Sequence, residues 1–415
     1  MFDVEKVCKE AKEVANLFSS VSEEKKNDLL TAVKNAVWDN RDAIIAINKL
    51  DLEEGVKNGL SDALIDRLTL NEKRIETMCN GIDDIIELPD YVGKVEETYT
   101  LKNGLEVKKV HAPLGVIGII YEARPNVTVD ATALCVKSGN AVVLKGGKEA
   151  IHTNRFLVKL MKQAFFSQGM DDRLIAFIDG TERELTAKML TLGDCIDVVI
   201  PRGGEKLKKY VLSAAAMPVI ASSGGNCHVY VEKTADLDMA LNIVENAKLS
   251  RPSVCNACET LLVDRAIADK FLPKCLSTLA SQGVEIRGKE EIKPYYKDVK
   301  IVGDDEFFVE YIDKIIKVKI VENVDEAIWH INHYNTKHSE AIVTTDKEAA
   351  EKFTKTVDAG CVYVNASTRF TDGFELGLGA EMGISTQKLH VRGPIGLKEL
   401  TSVKYVISGN GQVRK

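Results

Sequence analysis

Along the N-terminal stretch, Phe2, Val4, Val7, Cys8, Ala11, Val14, Ala15 and Phe18 recur at the spacing of one helix face. A second helical stretch starts near Ser22, its charged faces reading as solvated, and roughly the first ninety residues read as helices. The texture changes near Thr98. Residues 98–101 and 105–110 flank Asn103-Gly104, which predicts a hairpin closed by a two-residue type I′ turn. A lone ribbon of this kind is marginal and needs a surface to lie on, expected here to be another subunit, with residues 403–407 as its third strand. From Gly115 onward short apolar runs alternate with helical patterns. The runs fall at 116–120, 141–144, 174–178, 196–200 and 228–231, then again at 257–263, 318–321, 341–343 and 361–364. Continuous Val/Ile-rich runs between helices predict parallel sheets covered on both faces, and two such α/β units predict a ligand cleft.

Composition narrows the class without changing this picture. A chain of 415 residues exceeds what one core organises, so two or three domains are expected. The 45% hydrophobic and 28% charged content is that of a soluble globular protein. A net charge of -7 leaves no electrostatic footprint for nucleic acid or an anionic membrane, so an anionic substrate must be held by local cations. The apolar runs are too short to span a bilayer, and the N-terminus lacks the basic-then-apolar order of a secretion signal. Nine cysteines, an odd number spread along the chain, suit a reducing compartment, so the cytoplasm is expected.

One cysteine stands apart. In Ser250-Arg251-Pro252-Ser253-Val254-Cys255-Asn256, proline and the change of period put Cys255 in a loop between a helix and a strand, while Cys258 falls inside the strand pattern and points to the core. Spacing alone leaves three readings of Cys255: a small buried hydrophobe, half of a Cys-x-x-Cys pair, or a nucleophile. A zinc site lacks further ligands, and a redox pair would open a helix instead of a strand. His330, His333 and His338 have no carboxylate or cysteine to complete a metal set, and all three are read as packing residues.

The segment 252–263 resembles the active-cysteine segment of the γ-glutamyl phosphate reductase family, within the aldehyde dehydrogenase superfamily. Further matching segments lie in family order: Tyr121 to Thr128, Val324 through His330-Ile331-Asn332 to Ile342, Val364 to Phe370, and Gly383 to His390. The resemblance implies an aldehyde dehydrogenase-like α/β fold: two Rossmann-like parallel-sheet α/β domains plus a small β-ribbon oligomerisation element. Residues 1–97 and 112–232, with part of 365–395, would bind the cofactor. Residues 233–364 would carry the nucleophile, and 98–111 with 396–415 the ribbon. It also implies reduction of L-glutamyl 5-phosphate to L-glutamate 5-semialdehyde with NADPH in proline biosynthesis, through a thioester on Cys255. An acylating aldehyde dehydrogenase using coenzyme A is the alternative. Asn126 and the Cys255 N–H would be the oxyanion donors.

The remaining site residues follow from the same resemblance. Lys145 and Lys148 would face the adenosine ribose, Lys148 pairing with a 2′-phosphate and so favouring NADP. Pro201-Arg202-Gly203-Gly204 opens a helix and would cradle the pyrophosphate. Glu310 would hold the nicotinamide ribose, and Gly224 is a further candidate for binding the cofactor. Arg124, Arg251, Arg369 and Arg392 are the candidates for the substrate's carboxylate and phosphate. Ser222 stands where the superfamily's hydrolytic members place a glutamate, and a serine is a poor base for activating water. A homodimer or homotetramer is expected, with the upstream glutamate kinase as a partner.

Overall fold

The computed structural model describes residues 2–222 and 224–414, the side chain of Ala63 set aside. The chain forms two compact units, Met1–Ala221 with Gly377–Gly383 and Ile395–Lys415, and Ser222–Leu376 with Ile384–Pro394.

Helices Val4–Phe18, Glu23–Asp39, Arg41–Lys57, Asp62–Leu68 and Glu72–Glu87 open the first unit. Three of these helices start at side-chain caps: Asp3 accepts from the Lys6 N–H, Ser22 from Lys25 and Asn71 from Arg74. The stripe Val4, Cys8, Ala11, Val14, Ala15 and Phe18 is buried as its spacing requires, with Val7 at the margin. A parallel sheet follows in the order Ile175–Phe177, Ala141–Gly146, Val116–Tyr121, Val198–Arg202. Every residue of Val116–Tyr121 and Ala141–Gly146 is buried, which is why these strands are runs and not alternations.

An antiparallel ribbon completes this unit, with Glu106–Pro113 between Val95–Thr100 and Thr401–Ser408. Its turn differs from the sequence expectation. The Gly104 N–H donates to the Leu101 carbonyl at 2.9 Å and the Leu101 N–H to the Leu105 carbonyl at 2.8 Å, so three residues form the loop. Gly104 is left-handed at φ +83° and Asn103 is not, whereas a type I′ turn needs both.

The second unit is built on a parallel sheet in the order Lys300–Ile301, Glu285–Gly288, Ile315–Val321, Cys258–Asp264, Cys227–Val231, Ser339–Val343, Cys361–Val364. Alternate residues serve opposite faces. Val229, Val231, Leu261 and Val263 pack with helices Leu237–Leu249 and Arg265–Ser281, whereas Tyr230, Leu262 and Ile342 pack with Val324–Tyr334 and Lys347–Thr356. The run at 228–231, assigned from sequence to the cofactor domain, belongs here, and the unit begins at Ser222 instead of residue 233. Within 365–395 only Gly377–Gly383 and Ile395 join the first unit. Among the described residues no helix is long and apolar enough to cross a membrane.

Candidate active site

Cys255 lies in the loop between helix Leu237–Leu249 and strand Cys258–Asp264, partly exposed. Its backbone is held from below. The Cys227 thiol donates to the Cys255 carbonyl at 3.2 Å, and Gly225 lies so close that any Cβ would overlap that carbonyl. The Sγ atom stands 3.2 Å from Nε2 of His338, a fully buried side chain. His338 Nδ1 is 2.8 Å from the Ser339 hydroxyl, which continues to Thr371 Oγ1 at 2.6 Å and from there to the Tyr363 hydroxyl at 2.8 Å. This hydroxyl chain fixes the ring and leaves Nε2 aimed at sulfur, the arrangement that activates a thiol. Cys258 is its opposite: wholly buried, donating to the Thr260 carbonyl at 3.3 Å, with a thiol pushed up to about 12 by burial.

The role of His338 corrects the reading from sequence, which took it for packing. Its partner is 83 residues away, and only the parallel pairing of Ser339–Val343 with Cys227–Val231 brings it to the Gly225–Cys227 segment. One signal was available: a histidine immediately ahead of a strand, inside a segment that matches the family. His330 and His333 do pack. His330 meets the Phe307 ring edge-on at 4.9 Å, with burial lowering its pKa to about 3, and His333 stacks on Trp329 at 5.1 Å. The thiol and imidazole sit at the amino-terminal ends of their strands, opposite to the usual ligand end of an α/β sheet.

Two of the four candidate arginines gather near the thiol. The Arg369 guanidinium binds the Asn256 amide oxygen and donates to Ser250 Oγ at 2.9 Å. Asn256 in turn donates to the Thr371 carbonyl at 2.9 Å, and its own carbonyl accepts from the Thr368 hydroxyl at 2.7 Å, so the cysteine loop and the arginine turn are bolted together. Burial and then the charge of exposed Arg251 lower the pKa of Arg369, while Asp372 and Cys255 act in the other direction. Two cations beside a nucleophile suit an anion carried on an acyl group. Arg392 is placed differently. Its guanidinium pairs with Asp358 at 2.5 Å, alongside Lys388 at 3.0 Å and Lys337 at 3.4 Å. Burial works to raise the Asp358 pKa, but Arg392 and Lys388 hold it down at about 2.

Arg124 and Asn126 belong to the first unit. Arg124 is exposed just ahead of helix Asn126–Lys137. Asn126 opens that helix and donates to Asp130 at 2.9 Å, and burial still raises the Asp130 pKa to about 6.

The cofactor candidates form two glycine arms. In the first unit Pro201 and Arg202 end a strand, and Gly204 caps helix Glu205–Ala214 after Gly203. The Gly204 N–H donates to the Glu122 carboxylate at 2.7 Å, and a Cβ on Gly203 would stand 2.5 Å from the same oxygen. Lys145, at the next strand end, donates to the Gly180 carbonyl at 2.8 Å and has its pKa lowered by burial. Lys148 is exposed and makes no ion pair among the described residues. In the second unit the Gly225 N–H donates to Glu310 at 2.6 Å, and a Cβ on Gly224 would overlap that carboxylate. Side-chain-free strand ends, a helix N-terminus and two lysines fit an anionic dinucleotide, provided that Glu122 yields its N–H. Glu122 escaped sequence reasoning because its partner glycine is 82 residues away. Ser222 bridges to Ser385 through the backbone, and Ser223, in the same stretch, lies outside the described residues.

Comparisons with known proteins agree with this arrangement. The aldehyde dehydrogenase family matches residues 2–292 and 310–406. A gamma-glutamyl phosphate reductase of Caldicellulosiruptor bescii is 50% identical over 419 residues, covering 100% of both chains. One of Petrotoga mobilis is 51% identical over 407 residues, 98% of each. The crystal structure of the gamma-glutamyl phosphate reductase of Thermotoga maritima superposes with a TM-score of 0.97 at 42% identity, covering 99% of this chain and 100% of that one. The chain belongs to the aldehyde dehydrogenase family and, within it, to the gamma-glutamyl phosphate reductases.

Proposed function

We propose that this chain reduces L-glutamyl 5-phosphate to L-glutamate 5-semialdehyde with NADPH, releasing phosphate, as a step of proline biosynthesis. The shared name of its relatives supports the substrate. One observation carries the chemistry: the Cys255 thiol stands 3.2 Å from the His338 imidazole, with Arg369 and Arg251 close by.

His338 Nε2 takes the thiol proton. The thiolate attacks the acyl carbon, a C–S bond forms, and the carbon–oxygen bond to phosphate breaks. Phosphate leaves as an anion neutralised by Arg251 and Arg369, so it needs no proton. The Cys255 N–H and the Asn126 amide are the proposed oxyanion donors, Asn126 on the strength of the resemblance alone. A nicotinamide cofactor, when bound, would supply the hydride that reduces the thioester carbonyl carbon. His338 then returns its proton to the sulfur as the aldehyde departs. Ser222 leaves the thioester without a carboxylate to activate water at that position. Lys145 and Lys148 would hold the adenosine ribose and its 2′-phosphate, residues 201–204 the pyrophosphate and Glu310 the nicotinamide ribose, with Gly224 a further cofactor-binding candidate. Arg124 and Arg392 remain candidates for the substrate's carboxylate, Arg392 only by exchanging Asp358 for it.

Nine cysteines outside any disulfide support a cytoplasmic location. Exposed Tyr405, Val406 and Ile407 support a homodimer or homotetramer built on the ribbon. The kinase that makes the labile acyl phosphate is the proposed upstream partner.

The test runs the reaction backwards. With glutamate 5-semialdehyde and NADP, turnover should be slight in phosphate-free buffer and rapid once phosphate or arsenate is added. Coenzyme A should not replace them. Sustained phosphate-independent oxidation to glutamate would sink this reading.

A further inference from the structure

We infer that Lys317 is a positioning residue that sets the Glu310 arm against the glycine arm beside Cys255. Lys317 projects from the strand Ile315–Val321 and is fully buried. A buried ammonium is costly unless each of its three N–H bonds finds an acceptor. Here each does. Nζ donates to Asn226 Oδ1 at 2.9 Å, to the Phe307 carbonyl at 3.4 Å and to the Val309 carbonyl, and it lies 5.0 Å from the centre of the Tyr311 ring.

These acceptors belong to two different segments. Phe307 and Val309 lead into Glu310, and Asn226 follows Gly225, whose N–H binds Glu310. Asn226 adds to the clamp, its amide donating to the Phe307 carbonyl at 2.7 Å and the Tyr334 carbonyl at 2.8 Å. On the far side of Glu310, the Tyr311 N–H donates to Glu259 at 3.1 Å, and Glu259 is held by fully buried Lys248 at 3.1 Å. Glu310 is therefore gripped at both neighbours, by Lys317 before it and by Glu259 after it. Burial lowers the Lys317 pKa to about 8, with Glu259 pulling it back up, so the ammonium form prevails at neutral pH. A strand side chain needed only for packing would be apolar. An ammonium tying two loops together suits a site where a carboxylate must be held steady for a ligand's hydroxyls.

This inference rests on the reading of Glu310 as a residue that holds the cofactor. The test measures NADPH affinity by fluorescence on the full-length protein, with folding checked by circular dichroism. Glu310→Ala should weaken NADPH about ten-fold. Lys317→Met should weaken it about five-fold or more in folded protein, and the double variant should bind no worse than Glu310→Ala alone, within two-fold. If Lys317→Met does not fold, Lys317→Gln, which keeps an amide donor, should give a smaller loss with the same non-additivity. Losses that multiply in the double variant, or a folded Lys317 variant binding within two-fold of the parent, would overturn the role of Lys317. An unchanged Glu310→Ala variant would instead overturn the reading of Glu310, and Lys317 acting through it falls at the same time.

Discussion

Each unit holds a glycine pair whose second N–H is taken by a glutamate, Gly203-Gly204 with Glu122 and Gly224-Gly225 with Glu310. The local contact is nearly the same, and what surrounds it is not. Glu122 is exposed, and among the described residues its carboxylate has a single hydrogen bond, to a helix N-terminus, which water or a phosphate can replace. Glu310 is flanked by two buried charges, and its glycine is wedged against the backbone of Cys255. One arm is thus a displaceable cap on an anion cradle, the other a fixed arm. The same hydrogen bond gives a different mechanical result according to the burial of its neighbours.

The largest effect should come from the thiol–imidazole pair beside the fixed arm. His338→Ala should lower kcat/KM about 10²- to 10⁴-fold and slow alkylation of Cys255 by iodoacetamide at neutral pH. Unchanged alkylation would separate His338 from the thiol. Cys258 should stay unmodified in the same experiment, since burial keeps it a thiol.

Glycine substitutions test rigidity directly. A Cβ at Gly225 forces the Cys255 backbone to move, so Gly225→Ala should cost about 3 kcal/mol or more and lower the melting temperature by roughly 6 °C or more. At Gly204 a Cβ meets nothing nearer than the Glu122 carboxylate at 3.7 Å, so Gly204→Ala should melt within about 2 °C of the parent. Equal losses would break the comparison.

If the first-unit arm receives anions, its charges should discriminate between them. Lys148→Glu should weaken NADPH about ten- to hundred-fold and NADH far less, measured as a ratio of dissociation constants. Equal losses would show that Lys148 does not read the 2′-phosphate. The smallest effect has the most telling sign. Removing Glu122 takes a negative charge out of the phosphate cradle, so Glu122→Ala should tighten NADPH about three-fold, where Glu310→Ala loosens it. Two losses of like size would mean that both glutamates are fixed arms.

Local rules made much of this molecule legible from its sequence. Apolar period distinguished the N-terminal helices from the parallel strands, and the helix expected from near Ser22 is capped by that residue. The cysteine loop could be found because proline and a break in period are local signals. Family motifs then singled out Cys255 from eight other cysteines. The hairpin turn was missed by one residue because only the backbone angle of Asn103 separates the two turn types.

What the sequence by itself determined were the elements, the candidate nucleophile and the absence of a carboxylate at Ser222. Which sheet the strand Cys227–Val231 joins was decided in three dimensions, since a buried parallel strand reads the same in either core. The same pairing set His338 apart from His330 and His333 as the candidate base, because that candidacy rests on its distance from sulfur and not on its neighbours in the chain. Tertiary structure also separated Arg369 from Arg392, equal as sequence and unequal once Asp358 had claimed one of them. Finally it made Glu310 an anchored arm and Glu122 a loose one, because burial is set by whatever packs around a residue and no local pattern encodes it.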